Sequence, residues 1–191
     1  MKNYLKCIPF SLLLLFASCG GSEDEVEYNE QQDDAIVELD YDEFSKEVNA
    51  LETKILKETV PSDSLLRSAV TKFQDFASEW PDDPKSPDYL FKASDYALTL
   101  NQPAKSVKIL DKILNLYPDY DKREDVLYIK ADHLDWELRD TTRAKAAYQE
   151  YIDNYPETQR AEDARLRIQF IHLSFEEYAK KIISEYEAQA N

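Results

Sequence analysis

The sequence predicts an all-α fold, a solenoid of about four helical hairpins, and three observations carry that expectation. Both glycines of the 191-residue chain, Gly20 and Gly21, lie near the N-terminus, so the body from about residue 40 has none. Sheet-rich domains draw on glycine for hairpin turns, so its absence argues for helices joined by turns without positive φ. Glycine-dependent phosphate loops, of the Walker or dinucleotide kind, are excluded on the same ground. Next, Glu79-Trp80-Pro81, Leu116-Tyr117-Pro118 and Asn154-Tyr155-Pro156 recur at spacings of 37 and 38 residues, an internal repeat. Finally, a small residue stands 12 before each of these prolines and large ones follow it at i+4 and i+7. The sets are Ala69, Phe73, Phe76, then Ser106, Leu110, Ile113, then Ala144, Tyr148, Tyr151. That spacing is one stripe of a helix.

Taken in order, the expected helices are 43–58, 63–80, 87–100, 103–117, 122–139, 141–155, 159–172 and 174–189. Those at 63–80, 103–117 and 141–155 carry the three stripes and stop at the aromatic-proline pairs. Ser86-Pro87 and Asn101-Gln102-Pro103 place a proline in the first turn of the helices that follow, where its missing N–H costs nothing. Pro81 to Pro87 and Pro118 to Lys122 are the longer connections between hairpins. Ser174-Phe175-Glu176-Glu177 has the spacing of a capping box. The helix it opens presents Glu176, Glu177, Lys180, Lys181, Glu185 and Glu187 as a solvating outer face. No hairpin can bury its apolar face alone, so stacking should produce one continuous core over 43–191.

The stripes with their terminal prolines resemble the second helix of the tetratricopeptide repeat, over roughly residues 64–173. In the first helices, Leu90, Ala93, Ser94 and Ala97 occupy the family's Trp, Leu, Gly and Tyr positions in one unit, and Tyr128, Ala131, Asp132 and Asp135 in the next. The period is three or four residues longer than the family's, a variant similar to that of envelope helper lipoproteins of the outer-membrane assembly and Tol-Pal coordinator type. The resemblance implies a protein-binding scaffold whose first helices line a groove. At the groove positions stand Phe91, Asp95 and Leu98, then Ile129, His133 and Trp136, with Arg167 and Ile171 next along. Phe91, Asp95, Ile129 and His133 stand where carboxylate-gripping members carry Lys and Asn, so a clamp for acidic C-termini is not expected. Trp136 is the expected anchor, since a large groove aromatic can carry about 2 kcal/mol or more.

The N-terminus reads as a leader over 1–18. Lys2 and Lys6 precede an apolar run from Ile8 to Ala17, and about ten residues span only ~15 Å as a helix, half a hydrocarbon core. Leu15-Phe16-Ala17-Ser18-Cys19 resembles the lipobox of bacterial lipoproteins, with Phe16 where a smaller aliphatic is usual. The resemblance implies that Cys19 is lipidated and becomes the new N-terminus. The other cysteine, Cys7, falls inside the leader, so Cys19 has nothing to pair with. Residues 19–42 then form an acidic tether. From Ser22 to Glu43 there are eleven acidic residues and no Lys or Arg, a composition that repels itself and has little to bury. The expected location is the outer membrane, lipid-anchored and facing the periplasm, with surface exposure an alternative because acidic residues after the lipidated cysteine resemble a surface-export signal.

No catalytic residue, metal or cofactor is expected. His133 and His172 are the only histidines, too few for a zinc cluster without cysteines, and no nucleophile-elbow motif is present. With 39 acidic against 23 basic residues the formal net charge is −16, which disfavours nucleic acid and anionic membrane surfaces as partners. A protein or peptide partner in the cell envelope, partly apolar and basic, suits both groove and charge. An accessory protein or enzyme acting on envelope polymers or carbohydrate is the alternative function.

Overall fold

The computed structural model describes residues 39–189, and among them the chain forms eight α-helices and one π-helical turn, with no strand. In order these are α1 (Tyr41–Lys57), α2 (Asp63–Glu79), α3 (Ser86–Thr99), α4 (Pro103–Leu116), α5 (Arg123–Asp132), the π-helical turn His133–Glu137, α6 (Thr141–Asn154), α7 (Gln159–Gln169) and α8 (Phe175–Gln189). The chain is thus an all-α solenoid of tetratricopeptide-like hairpins. The leader, Cys19 and nearly all of the acidic tether lie outside the described residues.

Each of α2, α4 and α6 stops in the same way. Trp80, Tyr117 and Tyr155 cap them with φ/ψ of −124/67, −126/69 and −134/56°, and each backbone N–H still reaches the i−4 carbonyl at 2.9 Å. The proline that follows each aromatic forbids it the helical conformation, and the chain must turn. The starts are chemically just as plain. Asp40, Ser62, Asp140 and Thr158 accept the N–H of the residue three ahead through their side chains, at 2.8, 3.3, 3.0 and 3.2 Å. Ser174 and Glu177 form the reciprocal capping box, with Ser174 N–H donating to Glu177 Oε2 at 2.9 Å and Glu177 N–H to Ser174 Oγ at 3.3 Å. Ser86 does not cap. Its hydroxyl donates to the Trp80 carbonyl at 2.6 Å and ties down the preceding turn.

The three stripes are the core. Ala69, Phe73, Phe76, Ser106, Leu110, Ile113, Ala144, Tyr148 and Tyr151 are each 1% exposed or less. Aromatic rings pack both between pairs, Phe73 of α2 with Tyr89 of α3 at 5.0 Å between centroids, and within a pair, Tyr128 of α5 with Tyr151 of α6 at 5.2 Å.

Three features depart from the sequence expectation. Two turns do use positive φ, at Asn101 (56°) and Arg139 (54°). Asn tolerates this region, and its N–H bonds the Leu98 carbonyl at 2.8 Å to close α3. Second, the helix expected over 122–139 changes to a π-helical turn at His133, with Leu138 N–H bonding the His133 carbonyl five residues back at 3.0 Å. A π turn holds one residue more than an α turn, and the starts of the helices show the insertion. From α3 to α5 the offset is 37 residues, and from α4 to α6 it is 38.

At an offset of 37, Tyr89, Leu90, Ser94 and Ala97 correspond to Val126, Leu127, Ala131 and Leu134, and all eight are 3% exposed or less. The expected correspondence with Tyr128, Ala131, Asp132 and Asp135 is therefore one residue out of register, because the 38-residue spacing of the prolines applies only after the π turn. Third, α8 is a looser partner of α7 than the other second helices are of theirs. It meets the body through side chains, and Phe175 and Ile183 remain 70% and 58% exposed. The face expected to be purely solvating thus also carries apolar groups.

Candidate protein-binding face

The corrected register rebuilds the face of the first helices. Phe91, Asp95 and Leu98 of α3 correspond to Tyr128 and Asp132 of α5 and Asp135 of the π turn, with Thr99 matching Trp136. Phe91 and Leu98 are half-buried and Asp95 is exposed. Protein around the Asp95 carboxyl reduces its hydration and raises its pKa.

Ile129 is half-buried and packs on the core. His133 is 5% exposed and turns toward the second helix of the preceding pair, where Nδ1 lies 3.1 Å from Ser106 Oγ. Burial lowers its pKa below the usual histidine value, so the ring is a neutral core group at pH 7. Ile171 is 3% exposed and belongs to the core.

Arg167, also 3% exposed, is a structural clamp. Its Nη2 donates to Asp135 Oδ1 at 2.9 Å while Nε donates to the other carboxylate oxygen. Nη1 donates to the Phe170 carbonyl at 3.0 Å and Nη2 to those of Ile171 and Leu173 at 3.3 Å. One guanidinium thereby neutralises a fully buried aspartate and fastens the turn between α7 and α8. Its planar fork suits both tasks, which an ammonium could not combine.

Trp136 is half-buried and already has company. The Arg167 guanidinium stacks 3.8 Å from the centre of its ring, and Phe175 and Tyr178 of α8 approach at 5.3 and 6.1 Å. The structure therefore brings Trp136, Arg167 and α8 together, while Phe91, Asp95 and Leu98 stand apart on α3. His133 and Ile171 support the face from beneath.

Sequence reasoning missed two residues here, Tyr128 and Asp132. Burial raises Asp132 to a pKa of about 6, reinforced by the charges of Asp135 and Glu137 and opposed by Trp136 and Arg167. Burial likewise raises Tyr128 to about 12, with help from Asp163 and Asp132. The signal that could have found them was the difference between the two proline spacings. Among the described residues no group of three or more His, Cys, Asp or Glu side chains could hold a metal ion, and no helix is long and apolar enough to cross a membrane.

Residues 125–158 match the family described as Tetratricopeptide repeat. That span runs from α5 through the π turn and α6 to Thr158, the cap of α7, so it covers one helix pair and the start of the next. No curated protein matches the chain. A tetratricopeptide repeat suggests a protein–protein interaction adaptor, and folds of this kind generally serve as non-catalytic scaffolds for protein partners.

Proposed function

We propose that this tetratricopeptide-repeat chain is a non-catalytic adaptor of the cell envelope, held by lipid on Cys19 at the periplasmic face of the outer membrane, which receives a segment of a partner protein on the face of its first helices. The observation that carries the adaptor reading is the repeat match at residues 125–158, on a helix pair whose core pattern recurs in the two pairs before it. Support for the anchor comes from the sequence, where a lipobox-like pentapeptide ends a short apolar leader and an acidic, lysine-free stretch follows. Two or three acyl chains at ~0.8 kcal/mol per buried methylene hold a protein on its membrane. The open part of the face, around Phe91, Asp95 and Leu98, offers apolar surface beside a carboxylate, which suits a partly apolar, basic segment.

Affinity capture from envelope extracts tests this reading with the intact chain, Cys19→Ala and Asp95→Lys. Cys19→Ala should move to the soluble envelope fraction or remain unprocessed. Asp95→Lys reverses an exposed charge without touching the core, and should fold normally yet lose its specific partner. Processed Cys19→Ala that stays with membranes refutes the anchor, and identical capture by folded Asp95→Lys refutes the face.

A further inference from the structure

A recess that includes none of the first-helix face residues lies between the turn joining α2 to α3 and the turn joining α4 to α5. It has a volume of about 380 Å³, at the lower end of the range for small-ligand sites. Its existence follows from turn length. Residues 80–85 and 117–122 make two adjacent six-residue connections, whereas α6 and α7 are joined by the four residues 155–158.

Pro84, Pro87, Leu116, Tyr117 and Tyr120 supply its apolar wall. Leu116 is 53% exposed, although it ends a helix whose other large apolar side chains are buried. Tyr120 is fixed as a wall by its hydroxyl, which donates to Asp88 Oδ1 at 2.6 Å. The Tyr117 hydroxyl is buried beside Ser86.

Around this wall stand four carboxylates, Asp82, Asp83, Asp119 and Asp121. Asp83 is engaged, accepting from Tyr41 Oη at 2.6 Å and from the Lys85 N–H at 2.8 Å. Asp82, Asp119 and Asp121 have neither a hydrogen bond nor an ion pair. Nearby Lys122 pairs with Asp88 instead, at 2.7 Å. Three carboxylates that make no direct ion pair thus border a proline- and tyrosine-walled recess in a chain of net charge −16, with Lys122, engaged by Asp88, acting on Asp121 only through its charge.

We infer that this recess docks an arginine-bearing, extended segment of a partner protein, at a site separate from the first-helix face. The chemistry favours arginine over a compact cation. A guanidinium is planar and weakly hydrated, lies flat on aromatic rings and still bonds carboxylates at its edge, while its methylene stem covers apolar surface. Leu116 and the prolines meet the stem, Tyr117 and Tyr120 the plane, and the three aspartates the N–H groups. No titration or conformational change is needed.

The test is calorimetric titration of the folded chain with an acetylated, amidated tetra-arginine peptide at moderate ionic strength, with spermine as a bare polycation for comparison. One variant carries Asp82→Asn, Asp119→Asn and Asp121→Asn. A control carries the same change of charge elsewhere, as Asp42→Asn, Asp75→Asn and Glu157→Gln, at three exposed positions. A third variant is Leu116→Ala, which alters an exposed wall residue.

The inference expects the recess variant to bind at least about tenfold more weakly, Leu116→Ala several-fold more weakly, and the control within about threefold of the unaltered chain, with spermine weaker than the peptide. Equal losses in the recess variant and the control would mean diffuse attraction and overturn it. Spermine binding as tightly as the peptide, unchanged affinity in Leu116→Ala, or no measurable peptide binding would overturn it as well. None of these variants touches Asp95 or Trp136, so the outcome is independent of the first-helix face.

Discussion

At the scale of single residues, the π turn gathers groups whose charge states oppose one another. Asp132, with its pKa near 6 rather than the ordinary 3.8, binds its proton more tightly folded than unfolded. Its contribution therefore stabilises the fold as pH falls from about 6 to about 4, and as a carboxylate at neutral pH it costs up to about 3 kcal/mol. His133 has the opposite sign. Its pKa is lowered by burial, so the unfolded chain takes up the proton first and stability falls once pH drops below about 6.5.

Asp132→Asn should accordingly raise stability at pH 7.5 by ~1–3 kcal/mol and leave a chain that weakens steadily from pH 7 to 5, as followed by urea unfolding. An unchanged pH profile would contradict the burial of this carboxylate. Arg167 and Asp135 make a second residue-scale test. Removing one member of a buried pair strands the other, so Arg167→Met should cost ~3–5 kcal/mol, while Arg167→Met with Asp135→Leu should recover part of it. A loss below ~1 kcal/mol in the single variant would contradict the clamp.

Among the elements, the helices themselves were legible in the sequence, and the reasons are local. Aromatic-proline pairs stop three helices, prolines open two, and a small-large-large stripe marks each second helix. What the sequence did not disclose was where one extra residue sits. Proline spacing reports only the sum over a unit, and a π turn inside a helix carries no composition of its own, so Ile129 and His133 took the places that belong to Tyr128 and Asp132.

The looseness of α8 was hidden for another reason. Phe175, Tyr178 and Ile182 lie at helical spacing, which shows an apolar side but not how much of it finds a partner. No side chain described on α8 is fully buried, and Phe175 and Tyr178 rest on Trp136. Deleting residues 175–191 in a Trp80→Phe background should leave the rest folded, lower stability by less than about 2 kcal/mol, and shift Trp136 fluorescence to the red. Collapse of the remaining helices, or emission that does not move, would show that α8 holds the body together or does not cover Trp136.

On the scale of the whole molecule, the repeat carries both the fold and the reading of function. Stacked pairs bury the stripes inside, and the surfaces proposed for partners are the first-helix face and the inter-pair turns. The sequence reading expected a groove lined by the first helices and placed buried groups in it, since helical spacing cannot distinguish a side chain aimed at the next pair from one aimed at solvent. Arg167 is the clearest case, a charged residue at a groove position that in the fold is consumed by Asp135 and the turn carbonyls. The face left open is that of α3, and the adaptor account stands or falls on whether a partner touches it.

Site-specific photo-crosslinking in the intact, lipid-anchored protein answers this most directly, with the reactive group placed in turn at Asp95 on α3 and at exposed Lys108 on α4. The account predicts one discrete protein adduct from position 95, abolished by competing partner segment, and none from position 108. Adducts of equal yield at both positions, or at 108 alone, would contradict it.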